Sequence, residues 1–159
     1  MKQDIALQTA VLSKTPQILR IVCDLIDNPV KRGGYLCVTD QLGRIQIKIP
    51  VGEIDEDKAH LYAEFVSEKA SRLAGHTQHI SSWQSRNEKE KMFGGAIRAS
   101  SLIFSFSAFP EHWDEAFMVA LARACVPKDI SGDLIARIQQ ASDNPHICNL
   151  LDCVGVYVK

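Results

Sequence analysis

Between Arg44 and Ile49 polar and apolar residues alternate without a break: Ile45, Ile47 and Ile49 fall on one side of an extended chain, Arg44, Gln46 and Lys48 on the other. A repeat of two residues is the period of a β-strand, so this stretch commits the chain to a sheet with one buried and one wet face. A second β-rich run, Tyr35 to Thr39, precedes it across Asp40-Gln41-Leu42-Gly43, and turn residues at both ends of that tetrapeptide predict a hairpin. Another hairpin is expected further on. Gly94-Gly95 permits a bend or a close backbone approach, Ala96 to Arg98 can start a strand, Ala99-Ser100 can turn, and Leu102 to Phe109 supplies the returning strand. In that strand Leu102, Phe104, Phe106 and Ala108 share one face, while Ile103, Ser105, Ser107 and Phe109 share the other, so two serines project together.

Helical spacing governs much of the rest. Ile5 to Leu12 suits a strand and a helix equally well. Thr15 as cap and Pro16 as first helical residue then predict a helix whose stripe is Ile18, Leu19, Ile21, Val22, Leu25 and Ile26, ending near Asn28 ahead of Pro29. From Asp55 to Gly75, Ala59, Tyr62, Ala63, Val66, Ala70 and Leu73 form one helical face. A third helix begins at Pro110, with Glu111, Asp114 and Glu115 at the positive end of its dipole and Arg123 near the negative end. Ser131 caps a last helix, and "CVGVYVK" reads as a closing strand. The intervening "HTQHISSWQSRNEKEK", His76 to Lys91, lacks apolar periodicity and predicts a functional or mobile loop.

The alternation of hairpins and helices gives an α+β fold, and 159 residues at 46% hydrophobic content can bury a core as one domain, residues 1–159, without metal or disulfide. A net charge of -1 supplies no basic field for a nucleic-acid backbone or an anionic bilayer, so neither is an expected partner. With no apolar run long enough to span a membrane and acidic and polar residues through the first segment, a cytoplasmic location is expected. Five cysteines without a CxxC pair point to reduced thiols. His146, Cys148 and Cys153 offer three soft ligands without an identifiable fourth, and His76 with His79 lacks further ligands at metal spacing, so no metal site is expected.

Three stretches, taken in order, carry a resemblance: "YLCVTDQLGRIQIKIPVGE", "VSEKASRLAG" and "GGAIRASSLIFSFSAFPEHWDEAFMVALA". Together they resemble the GlcG and HbpS-like family, small bacterial haem-binding or haem-degrading-enzyme-like proteins that also occur as the carboxy-terminal domain of PduO-type proteins. The likeness covers roughly residues 35–122. It rests on a strand ending in Asp and a Gly turn (Val38 to Gly43), the pair Lys69-Ala70, Gly94-Gly95, the hairpin from Ile97 to Ser107, and Asp114-Glu115. The chain departs from the family where "GGVPI" is "GGAIR", where the hairpin is shortened, where the second strand ends "SFSAF", and in a carboxy-terminal extension expected to be a helix and a strand. The resemblance implies a profilin-like antiparallel sheet of about five strands packed with helices, a homo-oligomer, and a small-molecule or haem-binding role.

The expected ligand site therefore gathers Gly94 and Gly95, Ser105 and Ser107, and the helix start His112, Asp114 and Glu115, with Lys69 and Arg98 placed to meet a ligand carboxylate or haem propionate. His112 beside Trp113 is the candidate axial nitrogen for haem, against the plainer reading of a solvated first-turn residue. Surface solvation is likewise the plainer reading of Lys69 and Arg98. The expected function is a non-catalytic binding or sensing module. Two alternatives stand beside it: an enzyme or accessory subunit using His112 with Asp114 or Glu115 for proton transfer, and a structural assembly protein with Trp83 and Trp113 at subunit contacts. Asp114 and Glu115 are adjacent, hence about 100° apart on a helix, and form no natural catalytic dyad. The glycine pair lacks phosphate-binding spacing, and the serines lack a nucleophile motif.

Overall fold

Asp40 closes the first hairpin with its own side chain: Oδ1 accepts from the amides of Leu42 and Arg44, each at 2.9 Å, and Oδ2 from Arg44 Nε at 2.6 Å. The strands it joins are β1 (Arg32–Asp40) and β2 (Ile45–Glu53). They belong to a computed structural model that describes residues 2–27 and 31–157. A long helix, α1 (Lys2–Ile26), comes first, and α2 (Glu56–Gly75) follows the hairpin. The second hairpin is β3 (Ala96–Ala99) and β4 (Leu102–Ser107), and the chain continues through α3 (Glu111–Cys125), α4 (Gly132–Ser142) and α5 (Ile147–Tyr157). All strand pairs are antiparallel, in the order β2-β1-β4-β3.

The sheet has four strands among the described residues, one fewer than the sequence reading expects. The segment expected to close the chain as a strand is helical in α5 as far as Tyr157, and residues 158–159 lie outside the described residues. Its spacing explains this: Ile147, Leu150 and Val154 return to one helical face and are buried in the main core, and that burial outweighs the β-preference of a valine-rich run. Ile130, Ile135 and Ile138 join the same cluster, so the carboxy-terminal helices are part of the core.

The first helix also differs from expectation. Pro16 does not begin it but lies inside α1, which takes in Ile5 to Leu12 as well. Val11, Ile18, Leu19, Val22 and Cys23 make a buried stripe that runs past the proline, and α1 packs along α3. Tertiary packing of a whole stripe offsets the one intrahelical bond that proline removes. Thr15, expected as a cap, is buried, and its hydroxyl has no hydrogen-bond partner among the described residues. The expected stop at Asn28-Pro29 lies outside the described residues.

Helices cover both sides of the central strands. Leu36, Val38, Phe104 and Phe106 pack in the cluster that contains the buried residues of α1 and α3, whereas Ala70 and Leu73 of α2 pack on Ala96 and Ile103. The wet face is thus confined to edge strand β2. There Ile47 is buried and Lys48 is exposed, its Nζ donating to Ser67 of α2 at 2.7 Å; Ile45, expected to face the core, is exposed.

The aperiodic segment after α2 folds into two short 3₁₀ turns, Ser82–Ser85 and Glu88–Glu90. Polar groups order it: Ser81 and Gln84 form a capping box, and Arg72 donates to the carbonyls of Ser82 at 2.7 Å and Phe93 at 2.5 Å. None of the described helices is long and apolar enough to cross a membrane.

Candidate functional site

Gly95 has φ of +125°, a region that favours glycine, and a Cβ added there would lie 2.8 Å from Lys69 Nζ and 2.9 Å from both Asp114 Cβ and the Phe106 carbonyl oxygen. The missing side chain is therefore the space through which Lys69 of α2 reaches α3. Its ammonium donates to Asp114 Oδ2 at 3.0 Å and to the Phe106 carbonyl at 2.8 Å, with the lysine side chain 3% and the aspartate 2% exposed. Asp114 Oδ1 accepts from the Phe109 amide at 2.9 Å. Burial pushes the Asp114 carboxyl up to about 6, against the opposing pull of Lys69 and of the backbone amides. Contrary to the surface role that composition favours for it, Lys69 is one half of a buried ion pair.

Gly94 has a similar place beside it. A Cβ at Gly94 would meet Trp83 Cε3 at 2.7 Å, and its amide donates to Glu111 Oε1 at 2.8 Å. Glu111 also receives both Nε and Nη2 of Arg86, each at 2.7 Å, while that guanidinium lies 4.6 Å from the centre of the Trp83 ring. Burial pushes the Glu111 carboxyl up, but the bidentate Arg86 and the Gly94 amide outweigh it and leave the pKa below its ordinary value.

A cleft of about 330 Å³ opens beside the Lys69–Asp114 pair. Phe65 and Phe93 contribute to its wall, their rings edge to face at 5.5 Å between centres, and Tyr62 and Phe109 extend the aromatic lining. Lys31, Ser107 and Glu111 complete the polar contribution. Of the site expected from sequence, Lys69, Ser107 and Asp114 line this cleft and Gly95 shapes it. A larger hollow of about 900 Å³ near the first hairpin turn includes Asp40 and Arg44, but these are already paired with each other and belong to the surface.

The other expected residues are elsewhere. Ser105 is fully buried and donates to the Val66 carbonyl at 2.9 Å. Arg98 donates to the carbonyls of Leu73, His76 and His79 at 2.7, 3.2 and 3.0 Å, which fastens the end of α2. His112 is half-buried and does not line the cleft: its Nε2 is 2.9 Å from the Ser142 carbonyl, and its ring stacks on Trp83 at 4.2 Å. Glu115 faces away from Asp114 into a sealed polar cage, where it receives hydrogen bonds from Ser81, Ser142 and Asn144. Burial raises its pKa although all three partners favour the ion.

Sequence reasoning overlooked Tyr62, Phe65, Phe93 and Lys31 as cleft residues. One signal was available for the first of these: Tyr62 and Lys69 are seven apart in α2, and Lys69 falls between Val66 and Leu73 on the buried face, where a lysine requires a partner. No three His, Cys, Asp or Glu side chains among the described residues form a group able to hold a metal ion. No protein-family model, curated protein or solved structure matches the chain.

Proposed function

We propose that the chain is a non-catalytic small-molecule binding module of the profilin-like, GlcG and HbpS-like kind, acting in the cytoplasm as a homo-oligomer, with the cleft beside Lys69 and Asp114 as its site. The observation that carries this reading is a buried ion pair at the floor of an aromatic-walled cleft. Ligand sites characteristically combine apolar walls with a few placed polar groups and a shifted pKa. The order of hairpins and helices supports the profilin-like part of the reading.

Haem does not fit this cleft as the resemblance implies. No histidine, cysteine or methionine lines it, burial raises the pKa of the Tyr62 phenol and so disfavours a ligating phenolate, and His112 already has its Nε2 against the Ser142 carbonyl. The rival proton-transfer reading pairs His112 with Asp114 or Glu115, but Asp114 is bonded to Lys69, and Glu115, which shares Ser142 and Asn144 with His112, is fully buried away from the cleft. The assembly reading places Trp83 and Trp113 at subunit contacts, yet Trp83 is stacked by His112 and Arg86, and Trp113 by His146 at 4.0 Å.

An amide-resolved NMR titration of the whole chain with a library of small ring-containing compounds tests the proposal. Members of the library should shift the amides of Tyr62, Phe93 and Ser107 saturably, and Phe93→Ala should remove the response while preserving the fold. A library that leaves those amides unmoved overturns the reading.

A further inference from the structure

Resting on that reading, we infer that the ligand is a small planar carboxylate, its carboxylate received by Lys69 and Ser107 and its ring packed against Phe65 and Phe93. An ammonium has three N–H donors. Those of Lys69 find two acceptors among the described residues, Asp114 Oδ2 and the Phe106 carbonyl, and Lys69 lines the cleft. One donor is left for whatever enters. Ser107 lines the same cleft, is 4% exposed, and its hydroxyl makes no hydrogen bond among the described residues.

The sign of the charge follows from the groups around the cleft. Asp114 from α3 is paired with Lys69, and Glu111, also from α3, is matched by Arg86 from the turn behind it. Tyr62 of α2 is neutral, and Lys31, ahead of β1, adds a positive charge. Arg86 lies outside the lining and is shared with Glu88, so within the cleft Lys69 and Lys31 stand against Asp114 and Glu111, and it is the open donor of Lys69, with Lys31 at the same cleft, that favours an anionic acceptor. A neutral ring would leave the Lys69 donor unspent, and an amine would meet that ammonium with like charge. Phe65 and Phe93, crossed edge to face, offer a ring one face and one edge. A single ring with a short acid arm suits the volume of about 330 Å³.

Asp114 gives this arrangement a pH signature. As its carboxyl takes up a proton, Lys69 loses its internal counter-ion and the cleft becomes more positive. Carboxylate affinity should therefore rise as pH falls from about 7.5 to about 5.5, with a ceiling of about tenfold per unit for uptake of one proton.

The deciding experiment is an NMR titration of the wild-type chain with benzoate and phenylacetate, against benzamide and benzylamine as neutral and cationic counterparts, at pH 7.5 and 5.5. The carboxylates should bind at least tenfold more tightly than benzamide, through shifts at Ser107, Phe109 and Tyr62, and more tightly still at the lower pH. Ser107→Ala, a small change at a cleft wall, should weaken benzoate several-fold and leave benzamide unaltered. If benzamide or benzylamine binds in the cleft as well as benzoate does, the carboxylate assignment falls and the binding-module reading survives. If no probe reaches the cleft, both fall.

Discussion

Lys69 Nζ lies 3.0 Å from Asp114 Oδ2, and neither side chain is more than 3% exposed. Removing one member of such a pair strands a buried charge, which costs about 3–5 kcal/mol, whereas replacing both with apolar groups is often neutral. Lys69→Met should therefore lower stability by about that amount, and Lys69→Met/Asp114→Leu should recover most of it in urea unfolding. A double variant as unstable as the single would show that the pair is not what holds α2 to α3.

The same pair sets a pH dependence. The folded pKa of Asp114, about 6, lies above its ordinary value of 3.8. A raised carboxylate stabilises the fold fully below the ordinary value and loses that contribution as pH rises towards 6 and beyond. Unfolding free energies measured from pH 4 to 7 should carry this decline, and the Lys69→Met/Asp114→Leu variant should show less of it.

Gly95→Ala places a methyl within 3 Å of Lys69 Nζ, Asp114 Cβ and the Phe106 carbonyl, at a φ that alanine avoids. A loss of about 2–4 kcal/mol is expected from strain and displacement of the ion pair. Gly132→Ala meets nothing within 4 Å and should be neutral or slightly stabilising. Equal thermal shifts for the two would contradict the packing described at Gly95.

Glu115 accepts from no lysine or arginine among the described residues, and burial raises its pKa against the pull of Ser142, Ser81, Asn144 and the nearby His112. Its contribution is present at low pH and is lost as pH rises through the folded pKa, the same sign as Asp114. Glu115→Gln imitates the protonated acid. Relative to wild type it should gain stability at pH 7.5, and the gain should shrink as pH approaches 4; Glu115→Ala, which leaves Ser81, Ser142 and Asn144 without their acceptor, should lose stability throughout. Paired urea midpoints at the two pH values decide it.

Pro16 leaves the Leu12 carbonyl without its usual helical donor inside α1. Pro16→Ala should restore that bond and raise stability by about 1–3 kcal/mol, read as a higher Tm. A fall in Tm would mean that the proline ring contributes packing not evident from its exposed position.

Both hairpins, the bounds of α2 and the start of α3 were legible because local chemistry specifies them: Asp40 and Gly43 at a turn, Gly75 at a helix end, Pro110 before a helix; Asp55, where the helical face was expected to begin, proves to be the cap of α2. Where tertiary burial overrode local signals, the sequence misled. The buried stripe of α1 carried its helix through Pro16, and the valine run of α5 packed at helical spacing. At the site, Lys69, Gly95, Ser107 and Asp114 are brought together, but the relation between them is long-range: Lys69 and Asp114 are separated by 45 positions. Glu115 was read as a dipole partner because its cage comes from Ser81, Ser142 and Asn144, at separations of 34, 27 and 29 positions that no local pattern encodes.

The cage around Glu115 has a consequence for how the chain is made. Helix α3 leaves the ribosome before α4 does, so for that interval Glu115 can be supplied only by Ser81, and its closure waits on the translation of Ser142 and Asn144. A nascent chain stalled just after α3 should therefore remain open to proteases, with its acid still hydrated, and close only when those two residues emerge.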